Sequence, residues 1–247
     1  MNAFEHCVYS IPSDADSVNE DYVVCMPELG IFVVADGMGG RPGGATASKT
    51  AAETFVSAIR RRNDVEHVSD KSLRYAVNEA CDALRQVAVD SPELEGLGST
   101  LLAALLIDGM CRLVHVGDSR AYRLRGGSVE LLTRDQTLAE ELISRQVWSE
   151  DLARRHRLKN VLSQVVGSKH NPRPVIMPLD LRSGDYLLLA TDGFSNAVNS
   201  TRLAEAAAET AGRSVGEVGA AILRSVSRNA LEDDLSLVVI RVAGTYI

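Results

Sequence analysis

Four apolar segments follow one another between residues 101 and 132 with very short breaks between them: LLAALLI, RLVHV, AYRLR and VELL. The breaks contain Asp108-Gly109, Gly117-Asp118-Ser119 and Gly126-Gly127. Parallel neighbours need a crossover of a dozen or more residues, so breaks of three or four residues predict antiparallel neighbours. This run therefore restricts the chain to folds that are built on antiparallel sheet.

Helical periodicity appears on either side of these strands. Apolar residues recur every three or four positions from Gly44 to Ile59 and again from Leu73 to Val87, which predicts two long amphipathic helices joined by RRNDVEHVSD. The other predicted elements are a hairpin (22–26 and 31–35), a helical stretch from about Leu138 to Gly167, a strand at 185–191, helices near 201–209 and 215–229, and a last strand at 236–242. This order favours one α+β domain in which antiparallel sheet packs against helices.

Composition narrows the class of protein. The 33 acidic and 26 basic residues give a formal charge of −7, and such a surface disfavours a nucleic-acid partner. The four cysteines are far apart and form no CxxC pair, which excludes a zinc or disulfide framework and is typical of a reducing cytosol. No leader segment is visible and no apolar run approaches the ~20 residues of a membrane span. We therefore expect a cytoplasmic protein without a membrane partner.

Acidic residues stand at the ends of the apolar segments. Asp36 follows IFVVA, Asp192 follows YLLLAT and Asp118 follows RLVHVG, while Glu20-Asp21 and the acids of 232–234 directly precede strands. A buried carboxylate has to be paired or bound to metal, and oxygen ligands suit Mg²⁺ or Mn²⁺. Asp-Gly after a strand is equally typical of an ordinary turn or a helix cap. The residues alone leave both interpretations open.

Seven motifs lie along the chain in a fixed order: NEDYVV (19–24), VADGMGG (34–40) with GATAS (44–48), GST (98–100), HVGDSRAYRL (115–124), LTRDQT (132–137), LLLATDGFSNAV (187–198) and DDLSLVVI (233–240). Together they resemble the PP2C (PPM) family of metal-dependent serine/threonine protein phosphatases in its compact bacterial form. The resemblance runs from about Ser10 to Val242. One such motif would be weak evidence, whereas seven in order are specific.

The resemblance implies a fold and an activity. The implied fold is a four-layer αββα sandwich of two antiparallel β-sheets flanked by helix pairs, with residues 1–247 forming a single catalytic domain. The implied reaction is hydrolysis of phosphoserine and phosphothreonine on proteins by a metal-bridging hydroxide. The implied cofactors are two Mn²⁺ or Mg²⁺ ions, with the third ion that bacterial members often show. The implied partners are phosphorylated proteins and a bacterial Ser/Thr kinase that the enzyme opposes.

The resemblance also assigns the site. Its implied metal residues are Asp36, Gly37, Asp192, Asp233, Asp118, Glu20 and Asp21. By similarity Asp36 bridges two ions, the Gly37 carbonyl, Asp192 and Asp233 complete the protein ligands, and Asp118 helps to bind the third ion. Glu20 and Asp21 are expected to hold waters on the metals. Asp36, Asp192 and Asp233 are thus the expected catalytic residues.

Five positions depart from the family pattern. Asp16 stands where most members have a phosphate-binding arginine, and Asn196 stands where an acid is usual. Arg41 and Gln136 each replace a histidine, and Asp234 replaces an asparagine. The acid at position 16 would repel a phosphate, so its effect on activity is an open question.

Arg41 follows the central metal motif directly, and its fixed charge suggests that it binds the substrate phosphate in place of the missing arginine. A solvated loop residue is the alternative at this position. For the whole protein the alternative is a weakly active or inactive PP2C-like regulatory module, which Asp16 and Asn196 favour. The intact acids at 36, 192 and 233 favour the enzyme. A free-standing catalytic domain of this kind is expected to be a monomer.

Overall fold

A computed structural model describes residues 4–38, 43–61, 68–107, 110–210, 212–227 and 230–244. Arg41 lies outside the described residues, as do Asp108 and Gly109. None of the helices within these ranges is both long enough and apolar enough to cross a membrane.

The first sheet grows from the predicted hairpin. β2 (Asp21–Met26) and β3 (Ile31–Met38) pair antiparallel, with a 3-10 turn (Pro27–Leu29) and Gly30 between them. Gly30 has a φ of 65°, and a Cβ on it would lie 2.1 Å from the Leu106 carbonyl oxygen, so the turn requires glycine. The sheet order is β2-β3-β5-β6-β9, with β5 (Leu101–Ile107), β6 (Met110–Val116), β9 (Val175–Leu179) and the two-residue β4 (Gly98–Ser99) paired to β3.

The second sheet has the order β1-β11-β10-β7-β8 and is also antiparallel in every described pair. Its strands are β1 (Phe4–Ile11), β7 (Arg120–Arg125), β8 (Ser128–Leu131), β10 (Tyr186–Ala190) and β11 (Leu235–Val242). The first and last described strands, β1 and β11, pair side by side, so this sheet brings the two ends of the described chain together.

The helices confirm the predicted pairs. α1 (Gly43–Arg61) and α2 (Asp70–Asp90) cover the first sheet, and α6 (Ser200–Ala208) and α7 (Val215–Leu223) cover the second. The remaining helices are short: α3 (Leu138–Ser144), α4 (Glu150–Arg155) and α5 (Asp192–Ala197). Ser69 caps α2 by accepting a hydrogen bond from the Ser72 backbone.

The core fills three interfaces between four layers. Phe32, Leu102, Leu187 and Val238 meet between the two sheets, and all four are fully buried. Burial of each such side chain stabilises the fold by roughly 1.5–3 kcal/mol. Along β3, residues 31, 33 and 35 face the helix pair while residues 32 and 34 face the other sheet, so this strand is buried on both faces. The fold is the four-layer αββα sandwich that the motifs imply.

The break at 117–119 was predicted to join antiparallel neighbours, and that prediction is wrong. β6 belongs to the first sheet and β7 to the second, so Gly117-Asp118-Ser119 carries the chain from one sheet to the other. Strands that change sheet at a corner are common where two sheets pack face to face. Gly117 allows this bend because its φ is 104°, and a Cβ on it would lie 2.6 Å from the Thr100 side chain.

The helical stretch predicted from about Leu138 to Gly167 is only partly helical. α3 ends at Ser144, Gln146 adopts a φ of 59°, and α4 ends at Arg155. The rest consists of turns and bends, with isolated bridges from Leu162 to Thr137 and from Val166 to Ser99.

The helix predicted at 215–229 ends at Leu223, and Val226 bridges to Val198 instead. β1, β9 and α5 were not predicted. Their half-exposed or short sequences carry little periodic signal.

Candidate metal centre

Asp36 lies near the end of β3, where three neighbours fix its backbone. Its N–H donates to Thr100 Oγ1 at 2.9 Å, and its carbonyl accepts from Ser99 Oγ at 3.0 Å and from the Thr100 N–H at 2.9 Å. Asp21 stands opposite Asp36 in the β2–β3 register. The hairpin therefore places two acids at one end of the first sheet.

Gly37 occupies a position that excludes a side chain. A Cβ on it would lie 1.9 Å from the Gly44 carbonyl oxygen and 2.9 Å from the Glu20 carbonyl oxygen. The Gly37 N–H donates to that Glu20 carbonyl at 3.1 Å. The start of α1 can thus pack directly against the strand end, which explains why glycine follows the aspartate here.

Asp192 and Asp233 come from the second sheet. Asp192 is the first residue of α5, directly after β10, and Asp233 directly precedes Asp234 and β11. A Cβ on Gly193 would lie 2.1 Å from the Asp234 carbonyl oxygen, so α5 packs closely on the residues before β11. Antiparallel pairing of β10 with β11 brings these acids together although 41 positions separate them.

These segments line one cleft of ≈ 520 Å³. The sequence-predicted residues along its wall are Glu20, Asp36, Gly37, Asp118, Asp192 and Asp233. Asp118 reaches it from the turn between the two sheets. The opposite wall is largely apolar and includes Val161, Leu162 and Val165. These three residues belong to the turns and bends that follow α4, a segment without a periodic pattern.

Asp21 lies behind the cleft wall. It is 7% exposed, and its Oδ2 accepts a hydrogen bond from Thr191 Oγ1 at 2.8 Å. Thr191 was missed as a functional residue, although its position directly before Asp192 was the available signal. The same hydroxyl accepts from the Ser236 N–H at 2.9 Å. Thr191 therefore ties the acid of β2 to the second sheet.

The carboxyl groups of the cleft repel one another, and this repulsion adds to the effect of burial on their pKa values. Burial, followed by repulsion from Asp21, Asp192, Asp118 and Asp233, raises the pKa of Asp36 well above its usual value. Burial and then Asp192 raise the pKa of Asp118 to about 7. Burial and then Asp233 raise the pKa of Asp192. A cation in the cleft would relieve this repulsion.

Arg120 is the guanidinium next to this cluster, but it is already engaged. It binds Asp135 through two hydrogen bonds, Nε to Oδ1 at 2.9 Å and Nη2 to Oδ2 at 2.6 Å. This bidentate pair leaves the carboxylates at 36, 118 and 192 without a cation of their own among the described residues.

The donor set fits a hard divalent cation. Oδ1 of Asp192 is buried and accepts no hydrogen bond within the described residues. The polar wall supplies carboxylate and carbonyl oxygens and neither histidine nor cysteine, as Mg²⁺ and Mn²⁺ prefer. Across the described ranges, no three His, Cys, Asp or Glu side chains are close enough to hold an ion by themselves. An ion here would keep several waters.

Two of the departures from the family pattern, Asn196 and Gln136, have structural roles. Asn196 Nδ2 donates to Asp192 Oδ2 at 3.3 Å. Gln136 binds Gly117 twice, accepting its N–H at 2.8 Å and donating to its carbonyl at 2.9 Å, which fixes the turn that carries Asp118. Asp16 is exposed and lies outside the cleft lining.

Asp234 is the clearest residue that sequence reasoning did not assign. It is 5% exposed, Oδ1 accepts the Ser13 N–H at 2.7 Å, and Oδ2 accepts the Glu20 N–H at 2.6 Å. Both carboxylate oxygens therefore hold the loop that delivers Glu20 to the cleft. The available signal was its place beside Asp233.

Known proteins resemble this chain in sequence and in fold. The family model for protein phosphatase 2C matches residues 13–235. The serine/threonine protein phosphatase PstP of Mycobacterium tuberculosis is 32% identical over 203 residues, a match that covers 80% of this chain and 38% of PstP. This chain thus spans less than half the length of that relative. Protein phosphatase PhpP of Streptococcus pneumoniae is 30% identical over 189 residues, covering 75% of this chain and 76% of PhpP.

A solved structure gives the same result. The catalytic domain of PstP, in complex with two manganese ions, aligns with a TM-score of 0.76 and 27% identity, covering 98% of this chain and 99% of that one. The family model, the two relatives and the shared architecture agree. This chain belongs to the protein phosphatase 2C family.

Proposed function

We propose that this chain hydrolyses phosphoserine and phosphothreonine in proteins and that it requires two Mn²⁺ or Mg²⁺ ions. The observation that carries the proposal is the convergence of Asp36, Gly37, Asp192 and Asp233 from both sheets on one cleft of oxygen donors. We also propose that the two sheets, which share one core, form a single catalytic domain.

The position of each acid relative to the cleft suggests its role in metal binding. Asp36, the Gly37 carbonyl, Asp192 and Asp233 would hold two ions, and Asp118 would help to hold a third. Glu20, at the cleft wall, and Asp21, behind it, would orient waters. When bound, such ions lower the pKa of a water so that it can attack phosphorus at neutral pH and neutralise the charge of the phosphoryl group.

The chain's own side chains orient the ligands and shape the cleft. Asn196 holds Oδ2 of Asp192, which leaves Oδ1 buried and available to a ligand. Asp234 fixes the backbone of Glu20. Val161, Leu162 and Val165 present an apolar wall that would exclude water and contact the carbon atoms of a substrate peptide.

The proposed partners are phosphorylated proteins and a Ser/Thr kinase that this chain opposes. The names of PstP and PhpP support a protein phosphatase. A regulatory module without turnover is the competing function, since Asp16 offers no cation for the phosphate.

Hydrolysis of a phosphothreonine peptide separates these functions. We expect turnover with Mn²⁺ or Mg²⁺, loss of turnover in EDTA, and loss in Asp192→Asn. Asp90→Asn, which removes an exposed acid on α2, is the matched control and should retain activity. Folded protein that binds Mn²⁺ but shows no turnover would establish the module instead.

A further inference from the structure

A second groove lies on the far side of the second sheet, between β1 and α7. Its volume is ≈ 660 Å³, larger than the ≈ 520 Å³ of the acid cleft. Tyr9 and Ile11, which share one face of β1, form one wall together with Ser13, which follows the strand. Leu223 and Arg224 form part of the other wall. The proposed phosphatase chemistry uses none of these side chains.

Gly219 lies at a close contact between α7 and β1, next to the groove. A Cβ on Gly219 would lie 2.5 Å from Cys7 Sγ and 2.9 Å from the Tyr9 hydroxyl oxygen, so α7 packs tightly on β1 at this point. Beyond that contact, Ala220, Leu223 and Arg224 line the groove on the helix side. The groove therefore lies beside a tight contact between the helix and the strand.

The lining is apolar apart from a few polar groups. Ile11 is part-buried and Leu235 is buried in the core between this sheet and its helices. Arg224 is exposed, and within the described residues no carboxylate forms an ion pair with it. Burial raises the pKa of the Tyr9 phenol, while the nearby Arg224 opposes that rise. A cation and a hydroxyl thus stand beside an apolar slot.

We propose that this groove binds a small amphipathic carboxylate, with its aliphatic tail between β1 and α7 and its anionic head on Arg224. The volume lies within the range of ~300–1,000 Å³ that is typical of small-molecule sites, and such sites combine apolar walls with a few polar groups. Charge complementarity selects an anion, because Arg224 is the charged residue of the described lining. Binding of the carboxylate does not depend on the phosphatase activity, whereas its link to Mn²⁺ rests on the proposed metal centre.

Strand pairing and hydrogen bonds connect the groove to the cleft that is lined by Asp36, Asp192 and Asp233. Ile11 pairs with Leu235 in the β1–β11 register, and Leu235 directly follows Asp234. Asp234 holds Ser13 at the groove and Glu20 at the cleft through its two oxygens. Occupancy of the groove would therefore change the affinity of the cleft for Mn²⁺, and Mn²⁺ would change ligand affinity by the same factor.

Isothermal titration with decanoate, below its micelle concentration at neutral pH, tests the site. We expect saturable binding of one decanoate, weakened roughly tenfold in Arg224→Gln, and weaker binding of decanol, which has the same tail without the charge. Ala220→Phe, which fills the groove, should abolish binding. Arg202→Gln, an exposed arginine on α6, is the matched control and should bind normally.

Four results would overturn the site. Three of them concern the ligand: no decanoate binding by the folded protein, equally tight binding of decanol, or normal decanoate binding by Arg224→Gln. The fourth is a concentration-dependent dimer that Ala220→Phe abolishes, because a second copy of the chain would then occupy the groove. The link to the cleft is tested separately by titrating Mn²⁺ with and without saturating decanoate. A changed Mn²⁺ affinity supports the link, and an unchanged one refutes it.

Discussion

Arg41 is proposed to bind the substrate phosphate, and this role rests on its position after the metal motif and on its positive charge. Asp16 supplies no cation, and Arg120 is bound to Asp135. If Arg41 binds the substrate phosphate, Arg41→Ala should raise KM for a phosphothreonine peptide roughly threefold to tenfold, because one charge-assisted hydrogen bond is lost. Steady-state kinetics with Mn²⁺ would show it. Arg61→Ala, at the exposed end of α1, is the control, and an unchanged KM in Arg41→Ala would exclude the role.

Asp234 acts through backbone groups rather than through the metal site. Asp234→Ala leaves the N–H groups of Ser13 and Glu20 without their acceptors, which should lower the free energy of unfolding by roughly 2–4 kcal/mol. Loss of its repulsion toward Asp21 offsets only part of this. Asp234→Asn keeps one acceptor and should lose about half as much.

Urea denaturation measures the effect of these Asp234 variants. Asp14→Ala, in the same loop but exposed, is the control and should change stability little. Equal stability of Asp234→Ala and the wild type would show that the two short hydrogen bonds contribute nothing.

At the scale of elements, the close contact between α5 and the start of β11 sets the distance between Asp192 and Asp233. Gly193→Ala forces a Cβ to 2.1 Å from the Asp234 carbonyl oxygen, so we expect a loss of roughly 1–3 kcal/mol and weaker Mn²⁺ binding. Gly216→Ala is the matched control, since that helical glycine has open space around it and alanine should stabilise α7 by roughly 0.5–1 kcal/mol. Thermal unfolding of both variants gives the comparison, and a stabilised Gly193→Ala would contradict the packing argument.

The elements also show what sequence could predict. Long periodic segments such as α1, α2 and β3 were predicted correctly because one pattern persists over many residues. The turn at 117–119 was misassigned because its length fits both a hairpin and a change of sheet, and only the partner strand β10 decides between them. The acids at 36, 192 and 233 were assigned to the site through their motifs. The contacts of Thr191 and of the apolar wall at 161–165 join distant segments, which no local pattern shows.

For the whole molecule, the acid cleft makes stability depend on pH when no metal is bound. The folded-state pKa of Asp118 is about 7, above its ordinary 3.8, because burial and Asp192 disfavour the charge. The folded state therefore holds a proton that the unfolded state has released, and its stabilising effect is lost as pH rises from about 4 through about 7. Asp36 and Asp192 shift in the same direction.

Thermal unfolding in EDTA should accordingly show a Tm that falls between pH 5 and pH 8. Asp118→Asn removes one titrating group and should flatten this decline, while Asp90→Asn should not. Excess Mn²⁺ should raise the Tm most at the alkaline end, because it binds the ionised carboxylates. A Tm that rises with pH in EDTA would contradict the account.

We propose that carboxylates from both sheets form one metal centre around Asp36. Mn²⁺ affinity, measured by calorimetric titration of the metal-free protein, tests it most directly. Asp36→Asn should weaken binding by at least the roughly 10–100-fold that follows loss of a metal site's supporting residues, while Asp90→Asn should bind as the wild type does. Wild-type affinity in a folded Asp36→Asn would show that the metal centre lies elsewhere.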